Sequence, residues 1–223
     1  MSKPWRINIG CGQRPTEGWL NMDNSISIRL ARVPWLTWLP QKLGLLDRLQ
    51  VSNLAFNRKH SLIFCDARKR IPVEDGSAEV VYTCHMLEHL DRAEALQFIR
   101  EAKRVLCAGG ILRIAVPNLR FHVDNYLRTG DADTFMEAAN LERHRPKSLL
   151  ERAKVFLIGD REGHCVMYDP ASIGRLLTNE GFDPVYDLQP GQTRIPSPEP
   201  LDLSERFPES LFVEGVRGPR ETR

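Results

Sequence analysis

The chain has 223 residues, 42% hydrophobic and 27% charged, a composition typical of ordinary globular proteins rather than disordered or fibrous ones. A formal net charge of +2 is small for a general nucleic-acid binder, so nucleic acid is not expected as a partner. No apolar run is long enough for a signal peptide or a membrane-spanning helix, so a cytoplasmic location is expected. The length fits a single domain over residues 1–223.

Short β-rich segments alternate with helical patterns along the chain. A helix is predicted to begin at Asp91, with Glu94 as its capping partner, and to stop at Gly109 and Gly110. A second helix is predicted from Asp169 to Gly181. Strands are predicted at 6–9, 19–22, 62–65, 79–84, 111–116 and 211–216. This alternation predicts an α/β fold, a Rossmann-like doubly wound and mostly parallel sheet with helices on both faces.

Two segments interrupt the alternation and are interpreted as helical insertions, at about 25–60 and 130–163. The first carries Trp35 and Trp38 among basic residues, which favours a helical lid and leaves peripheral membrane contact open. The second carries Arg143 and Arg145, and together the insertions are expected to wall the acceptor site. Their charge suits a phosphorylated or nucleotide-linked sugar. An extended surface loop is predicted at 190–208 and a flexible tail at 217–223.

Residues suited to a nucleoside follow the first three predicted strands. The glycines of Gly10-Cys11-Gly12 allow a tight turn that brings backbone N–H groups close to a ligand. Asp23 ends the second strand, where a carboxylate can accept hydrogen bonds from both hydroxyls of a ribose. Asp66, followed by Ala67, ends the third strand and can accept a bond from the amine of an adenine. Each aspartate also has a purely structural interpretation, Asp23 as a cap at the start of a loop and Asp66 as a helix cap.

These pieces together resemble the class I S-adenosylmethionine-dependent methyltransferases, particularly the small bacterial type that is methyltransferase 11-like. The matching segments are 8–12, 18–23, 65–67, 75–82, 85–90 and 101–117. The resemblance implies a seven-stranded sheet, S-adenosylmethionine as cofactor and methyl transfer as the reaction. It places Gly10, Cys11 and Gly12 along the methionine part, Asp23 on the ribose, Asp66 and Ala67 on the adenine, and His85 and Met86 near the sulfonium. Because only nine residues separate the first two predicted strands, the first crossover helix is expected to be stunted or missing.

The catalytic candidates are histidines, since a hydroxyl acceptor is helped by a base that titrates near neutral pH. His85 and His164 are the two candidates. For His164, a loop residue without a catalytic role is an equally good interpretation. His85 and His89 have the spacing of a metal pair, but no further ligand of suitable spacing follows, so no metal is predicted and His89 is interpreted as structural.

The predicted function is methyl transfer from S-adenosylmethionine to a small-molecule or glycan-like acceptor. A non-catalytic module that binds S-adenosylmethionine and regulates or scaffolds a partner is the first alternative. An NAD-dependent oxidoreductase is the second, and the missing third glycine, where Arg14 stands, argues against it. The sequence leaves the oligomeric state open.

Overall fold

The computed structural model describes residues 4–42, 46, 48–142 and 163–219. The strands are β1 (Trp5–Ile9), β2 (Leu20–Asp23), β3 (Ile63–Phe64), β4 (Ala78–Cys84), β5 (Leu106–Pro117), β6 (Phe182–Leu188) and β7 (Ser210–Arg217). The helices are α1 (Ile26–Ala31), α2 (Pro34–Lys42), α3 (Arg48–Lys59), α4 (Arg92–Val105), α5 (Leu119–Thr129), α6 (Ala132–Ala138) and α7 (Pro170–Asn179), with a 3₁₀ turn at Leu87–His89.

All seven strands form one sheet in the order β3-β2-β1-β4-β5-β7-β6. Strands β1 to β5 pair in parallel, and β7 is antiparallel to both of its neighbours, β5 and β6. The prediction of a mostly parallel, seven-stranded, Rossmann-like sheet is therefore confirmed. The parallel strands all end at one edge of the sheet, and that edge is where a ligand site is expected.

The connection between β1 and β2 contains no helix, as its length predicted. Side chains hold it in a compact turn instead. The Asn21 side chain accepts a bond from the Thr16 N–H (2.7 Å) and donates to the Thr16 carbonyl (2.8 Å). Asn8 is buried and donates from Nδ2 to Thr16 Oγ1 (3.0 Å). Asn8 therefore stabilises the turn, and the glycines at its start are held in register with β2.

Helices α4 and α7 cover one face of the sheet, and both begin as the sequence predicts. The Asp91 side chain accepts from the Glu94 N–H and forms a complete capping box, and Asp169 does the same with Ser172. Phe98 of α4 and Ile173 of α7 are fully buried in the main apolar core. Their burial fixes the helices, and with them the loops that approach the carboxyl edge.

Three details differ from the sequence-based predictions. Helix α4 ends at Val105, and Gly109 and Gly110 lie inside β5, where the pairing with β4 is irregular. A Cβ on Gly110 would lie 2.9 Å from the Cys107 carbonyl oxygen. Glycine is therefore required by the close approach of the backbone in this irregular part of the strand, and not by the end of a helix. Strand β6 and helix α5 were not predicted.

The segment 189–209 contains no helix or strand, as predicted for a surface loop, but two of its side chains anchor it on the sheet. Ile195 and Leu201 are buried against the second face of the sheet, next to Tyr82 and Phe212. Apolar residues spaced irregularly along this segment cover the sheet without forming a helix, which is why their pattern gave no signal. The segment is therefore a mostly exposed loop that Ile195 and Leu201 attach to the core.

Helices α1 to α3 connect β2 to β3 and account for the first predicted insertion. Most of the second insertion, including Arg143 and Arg145, lies outside the described residues. The predicted tail begins at Arg217, which is the last residue of β7, and its final four residues are also outside them. The division into one domain with two insertions remains a prediction. Among the described residues, no helix combines the length and apolar character needed to cross a membrane.

Candidate active site

A cleft of about 250 Å³ opens at the carboxyl ends of β1 to β4. Its wall includes six residues that were predicted to bind the cofactor: Gly10, Asp23, Asp66, Ala67, His85 and Met86. Arg68, His89 and Phe98 also line it. The fold thus brings residues from four separate strand ends to one cavity. Two of them, Asp23 and Asp66, are acidic.

The glycine turn forms the floor between β1 and β4. Gly10 has a φ of +71°, in the region that side chains disfavour. A Cβ on Gly10 would lie 2.7 Å from Cγ of Met86 and 2.8 Å from its Cβ. The turn and Met86 therefore pack as closely as glycine permits, and any larger residue would alter the shape of the cleft.

Replacing Gly10 by alanine is expected to abolish cofactor binding and to destabilise the fold by about 1–2 kcal/mol through the backbone alone. Gly18→Ala is the matched control, because Gly18 also has a positive φ (+74°) but a Cβ there meets nothing within 4 Å. Thermal melts and titration calorimetry with S-adenosylhomocysteine would compare the two variants. Equal binding losses in both would show that strain at a glycine, and not contact with Met86, is what matters.

Asp23 is fixed by the backbone around it. Its Oδ1 accepts from the Ser25 N–H (2.8 Å), and its Oδ2 accepts from the Gly12 N–H (3.0 Å). Each carboxylate oxygen keeps a second acceptor position. The carboxylate is therefore oriented before any ligand arrives and can still accept hydrogen bonds from two hydroxyl groups.

Asp66 is paired with a cation that the sequence analysis did not single out. Arg68 donates from Nε to Oδ1 (2.6 Å) and from Nη2 to Oδ2 (2.8 Å), and its Nη1 donates to Glu94 (2.5 Å). The hydrogen bond from Arg68 holds the pKa of Asp66 below its ordinary value, so this carboxylate is ionised at neutral pH. Its Oδ2 keeps one further acceptor position, and Asp66 lines the cleft.

A second cavity of about 280 Å³ lies beyond the glycine turn and shares Gly10 and His85 with the first. It contains the other two predicted cofactor residues, Cys11 and Gly12. Burial raises the pKa of the Cys11 thiol to about 12, so it stays protonated and contributes packing rather than charge.

Charged groups of both signs line this second cavity. Arg14 bonds Glu205 (3.2 Å), and Glu205 also accepts from the Tyr82 hydroxyl (2.8 Å), while Arg206 lies at the rim. Sequence reasoning missed Glu205 and Arg206, because they come from the segment that was read as a surface loop.

His85 separates the two cavities. Its φ is +49°, unusual for a residue with a side chain, and its Nε2 lies 2.7 Å from Ser210 Oγ. Burial, with Arg206 nearby, lowers the pKa of His85 to about 3, so the ring is neutral at physiological pH. The structure therefore places an uncharged imidazole beside the cleft.

A buried carboxylate lies behind His85, surrounded by imidazoles. Glu88 is fully buried, and its Oε1 lies 3.5 Å from His85 Nδ1 and 3.9 Å from the Nε2 atoms of both His89 and His164. Burial raises the pKa of Glu88 to about 8 and lowers that of His164 to about 4. The two predicted catalytic histidines thus lie close to one buried carboxylate.

Comparisons with known proteins agree with this architecture. A family model described as a hypothetical methyltransferase (Methyltransf_8) matches residues 46–146. A Methanosarcina mazei S-adenosylmethionine-dependent methyltransferase superimposes with a TM-score of 0.53 at 14% identity, over 99% of this chain and 95% of that one. The chain therefore has the fold of the class I S-adenosylmethionine-dependent methyltransferases. The predicted class is confirmed, and S-adenosylmethionine, the predicted cofactor, is the one this class uses. The methyltransferase 11-like subtype stays a prediction.

Other relatives bear on the acceptor. Two proteins named ribosomal RNA-processing protein 8, from Caenorhabditis briggsae and Caenorhabditis elegans, are 46% and 47% identical over 57 residues. The match covers 26% of this chain and only 16% of each relative. A Haloferax volcanii complex of the Trm112 methyltransferase activator with a methyltransferase has a TM-score of 0.50 at 13% identity, over 100% of this chain and 85% of that one.

The prediction of a small-molecule or glycan-like acceptor, with nucleic acid not expected, is therefore wrong. The relatives found by sequence are named for ribosomal RNA, and a fold neighbour is a methyltransferase bound to a protein activator. The physical error lay in the use of whole-chain charge. A net charge of +2 is a sum, and it conceals a strongly basic first insertion.

Proposed function

We propose that this methyltransferase transfers the methyl group of S-adenosylmethionine to RNA. Binding of S-adenosylmethionine is supported by one observation, which is that Asp23, Asp66 and the glycine turn line the same cleft. Two carboxylates that line one cleft suit a nucleoside, which carries ribose hydroxyls at one end and a base amine at the other.

The adenosine would occupy the first cavity. The oriented carboxylate of Asp23 would accept the ribose hydroxyls, and Asp66, held by Arg68, would accept the adenine amine. The buried Ala67 next to Asp66 leaves room for the base. Gly10, where the two cavities meet, would let the ligand pass close to the backbone.

The methionine end would occupy the second cavity. Glu205 offers a carboxylate to the ammonium group, and Arg14 or Arg206 offers a guanidinium to the carboxylate group. Glu205 of the 189–209 segment would be the acidic group of this cavity, whereas Asn8, which also lines it, is an amide engaged in the turn.

S-adenosylmethionine, when bound, supplies a methyl group on a positively charged sulfonium. The residues around it need mainly to align the acceptor and exclude water. A neutral His85 suits this position, because a protonated imidazole would repel a neighbouring cation. With its Nε2 held by Ser210, His85 would act as a positioning residue. Catalytic roles for His85 and His164 as proton acceptors remain predictions.

The first insertion supports an RNA acceptor. Helix α2 exposes Trp35 (74%) and Trp38 (59%), and Lys42 lies over the Trp38 ring at 5.0 Å. Exposed aromatic rings among basic side chains are suited to stacking unpaired bases and contacting phosphates. The insertion also lies next to the cleft, since Ile28 of α1 packs on Cys11 of the glycine turn.

Incubation with radiolabelled S-adenosylmethionine and purified ribosomal RNA tests the proposal. We expect label in RNA and none in a matched protein or sugar-nucleotide fraction. Replacing both Trp35 and Trp38 by alanine should weaken RNA binding by about 10-fold or more, since stacking is worth about 1–3 kcal/mol per base. Leu127→Ala, which changes a side chain on α5 that is also 74% exposed, should not. Cofactor binding without transfer to RNA would contradict the acceptor and favour a non-catalytic binding module.

A further inference from the structure

The cluster around Glu88 has the composition and arrangement of a metal site. We propose that Glu88, His89 and His164 bind a single divalent transition metal ion, with Zn²⁺ the best match. Their candidate ligand atoms all lie within 4.8 Å of one another. Two imidazoles and one carboxylate form a donor set that zinc accepts with a fourth position left open.

The strongest observation is the state of Glu88 itself. It is fully buried, and neither of its carboxylate oxygens has a hydrogen-bond partner among the described residues. Three imidazole nitrogens lie 3.5–3.9 Å from its Oε1. An unpaired carboxylate in an apolar interior is costly, and a cation between it and the imidazoles would satisfy both oxygens.

The two histidines are held in place by contacts outside the proposed coordination sphere. His89 Nδ1 lies 3.2 Å from the Gly163 carbonyl oxygen, and His89 Nε2 lies 3.9 Å from Glu88 Oε1. Metal-binding histidines are commonly oriented in this way. The backbone next to His164 is tied to Glu88 as well, because the Cys165 and Val166 N–H groups donate to the Glu88 carbonyl (2.8 and 3.2 Å).

The backbone of His164 itself is also fixed, because its N–H donates to the Asn140 carbonyl (2.8 Å). Ligands of a tetrahedral zinc with bonds of about 2.0–2.1 Å lie roughly 3.3 Å apart, so closing on an ion requires movements of about 1 Å. Rotations of the side chains can provide such movements.

The proposed metal site lies where a bound ion could contact the methyl acceptor. His89 also lines the cofactor cleft, so an open coordination position would face the place where an acceptor approaches the methyl group. A metal there would orient an acceptor oxygen or nitrogen and lower its pKa. The binding inference itself does not depend on methyl transfer, because its test measures the ion alone.

The test is titration of the chelator-treated, tag-free protein with Co²⁺, followed by visible absorption, and then displacement of Co²⁺ by Zn²⁺. We expect one ion per chain with the intense absorption of four- or five-coordinate Co²⁺. Glu88→Gln and His164→Gln should each weaken binding by more than about 100-fold, since even outer partners of metal ligands are worth about 10–100-fold. His60→Gln, which changes a histidine beyond the cluster at the end of α3, should bind like the wild type.

Circular dichroism of each variant checks that it folds. Glu88→Gln is the safer of the two, because glutamine has the shape of a protonated glutamate. The inference is overturned if the wild-type protein takes up neither ion in a 1:1 ratio, or if folded Glu88→Gln binds Co²⁺ as tightly as the wild type.

Discussion

Replacing Arg113 by methionine is expected to lower the free energy of unfolding by about 3–5 kcal/mol. Arg113 is fully buried in β5 and forms an ion pair with Glu214 of β7, from Nη1 to Oε1 at 2.6 Å. The variant leaves the Glu214 carboxylate buried without its cation. Chemical denaturation followed by circular dichroism measures the loss.

The same ion pair attaches the 189–209 segment to the sheet. Arg113 donates to the carbonyls of Gln192 and Leu203 (both 3.0 Å), and Glu214 accepts from Thr193 Oγ1 (2.6 Å) and the Arg194 N–H (2.7 Å). Limited proteolysis of Arg113→Met should therefore cut first within this segment. Because the segment carries Glu205 and Arg206, its release should also weaken cofactor binding.

Two further variants test whether the expected loss of stability is specific to the buried Arg113–Glu214 pair. The double variant Arg113→Met/Glu214→Leu should recover a substantial part of the lost stability, because no charge is left unpaired. Arg100→Met, which removes an exposed pair with Glu180, should change stability little. If Arg113→Met were no less stable than Arg100→Met, the pair would not anchor the segment.

Replacing Asp23 by alanine is expected to weaken binding of S-adenosylhomocysteine by about 10–100-fold. Hydrogen bonds to a charged group are worth about 1.5–3 kcal/mol, and about 1.4 kcal/mol corresponds to a factor of ten. The expected loss is specific to the ribose, since Asp23 is oriented by Gly12 and Ser25 toward the cleft. Titration calorimetry measures the two affinities.

A comparison of ligands isolates this contact from general damage to the turn. The wild-type protein should bind the 2′-deoxy analogue of S-adenosylhomocysteine more weakly than the parent compound, whereas Asp23→Ala should bind the two alike. Asp187→Ala, which removes an exposed carboxylate from β6 at the other end of the sheet, should keep the wild-type preference. An Asp23→Ala protein that still discriminates between the two ligands would remove Asp23 from the ribose site.

The fold was accessible from the sequence because its signals are local. Buried strands ending in Gly10, Asp23 or Asp66, and helices capped at Asp91 and Asp169, are each encoded within a few residues. Short spacing alone also predicted the missing helix between β1 and β2. Strand β6 escaped prediction because Asp183 and Pro184 break its apolar alternation.

The cofactor residues could be predicted because they follow strands, and the rest of the site could not because it depends on distant pairings. His164 is 75 positions from His89 in the chain and is brought to Glu88 by the backbone bonds of Cys165 and Val166. Arg68 and Glu205 were likewise brought to the cavities by tertiary contacts. The expectation that nucleic acid is not a partner failed for another reason, since net charge does not report where charge lies.

The central claim is that the ends of β1, β2 and β3 form one pocket for S-adenosylmethionine. Titration calorimetry of the wild-type protein with S-adenosylmethionine, S-adenosylhomocysteine and NAD tests it most directly. The account predicts one site per chain for each of the two sulfur-containing nucleosides and no heat of binding for NAD. Absence of binding by both of these nucleosides, or binding that Gly10→Ala and Asp23→Ala leave unchanged, would contradict it.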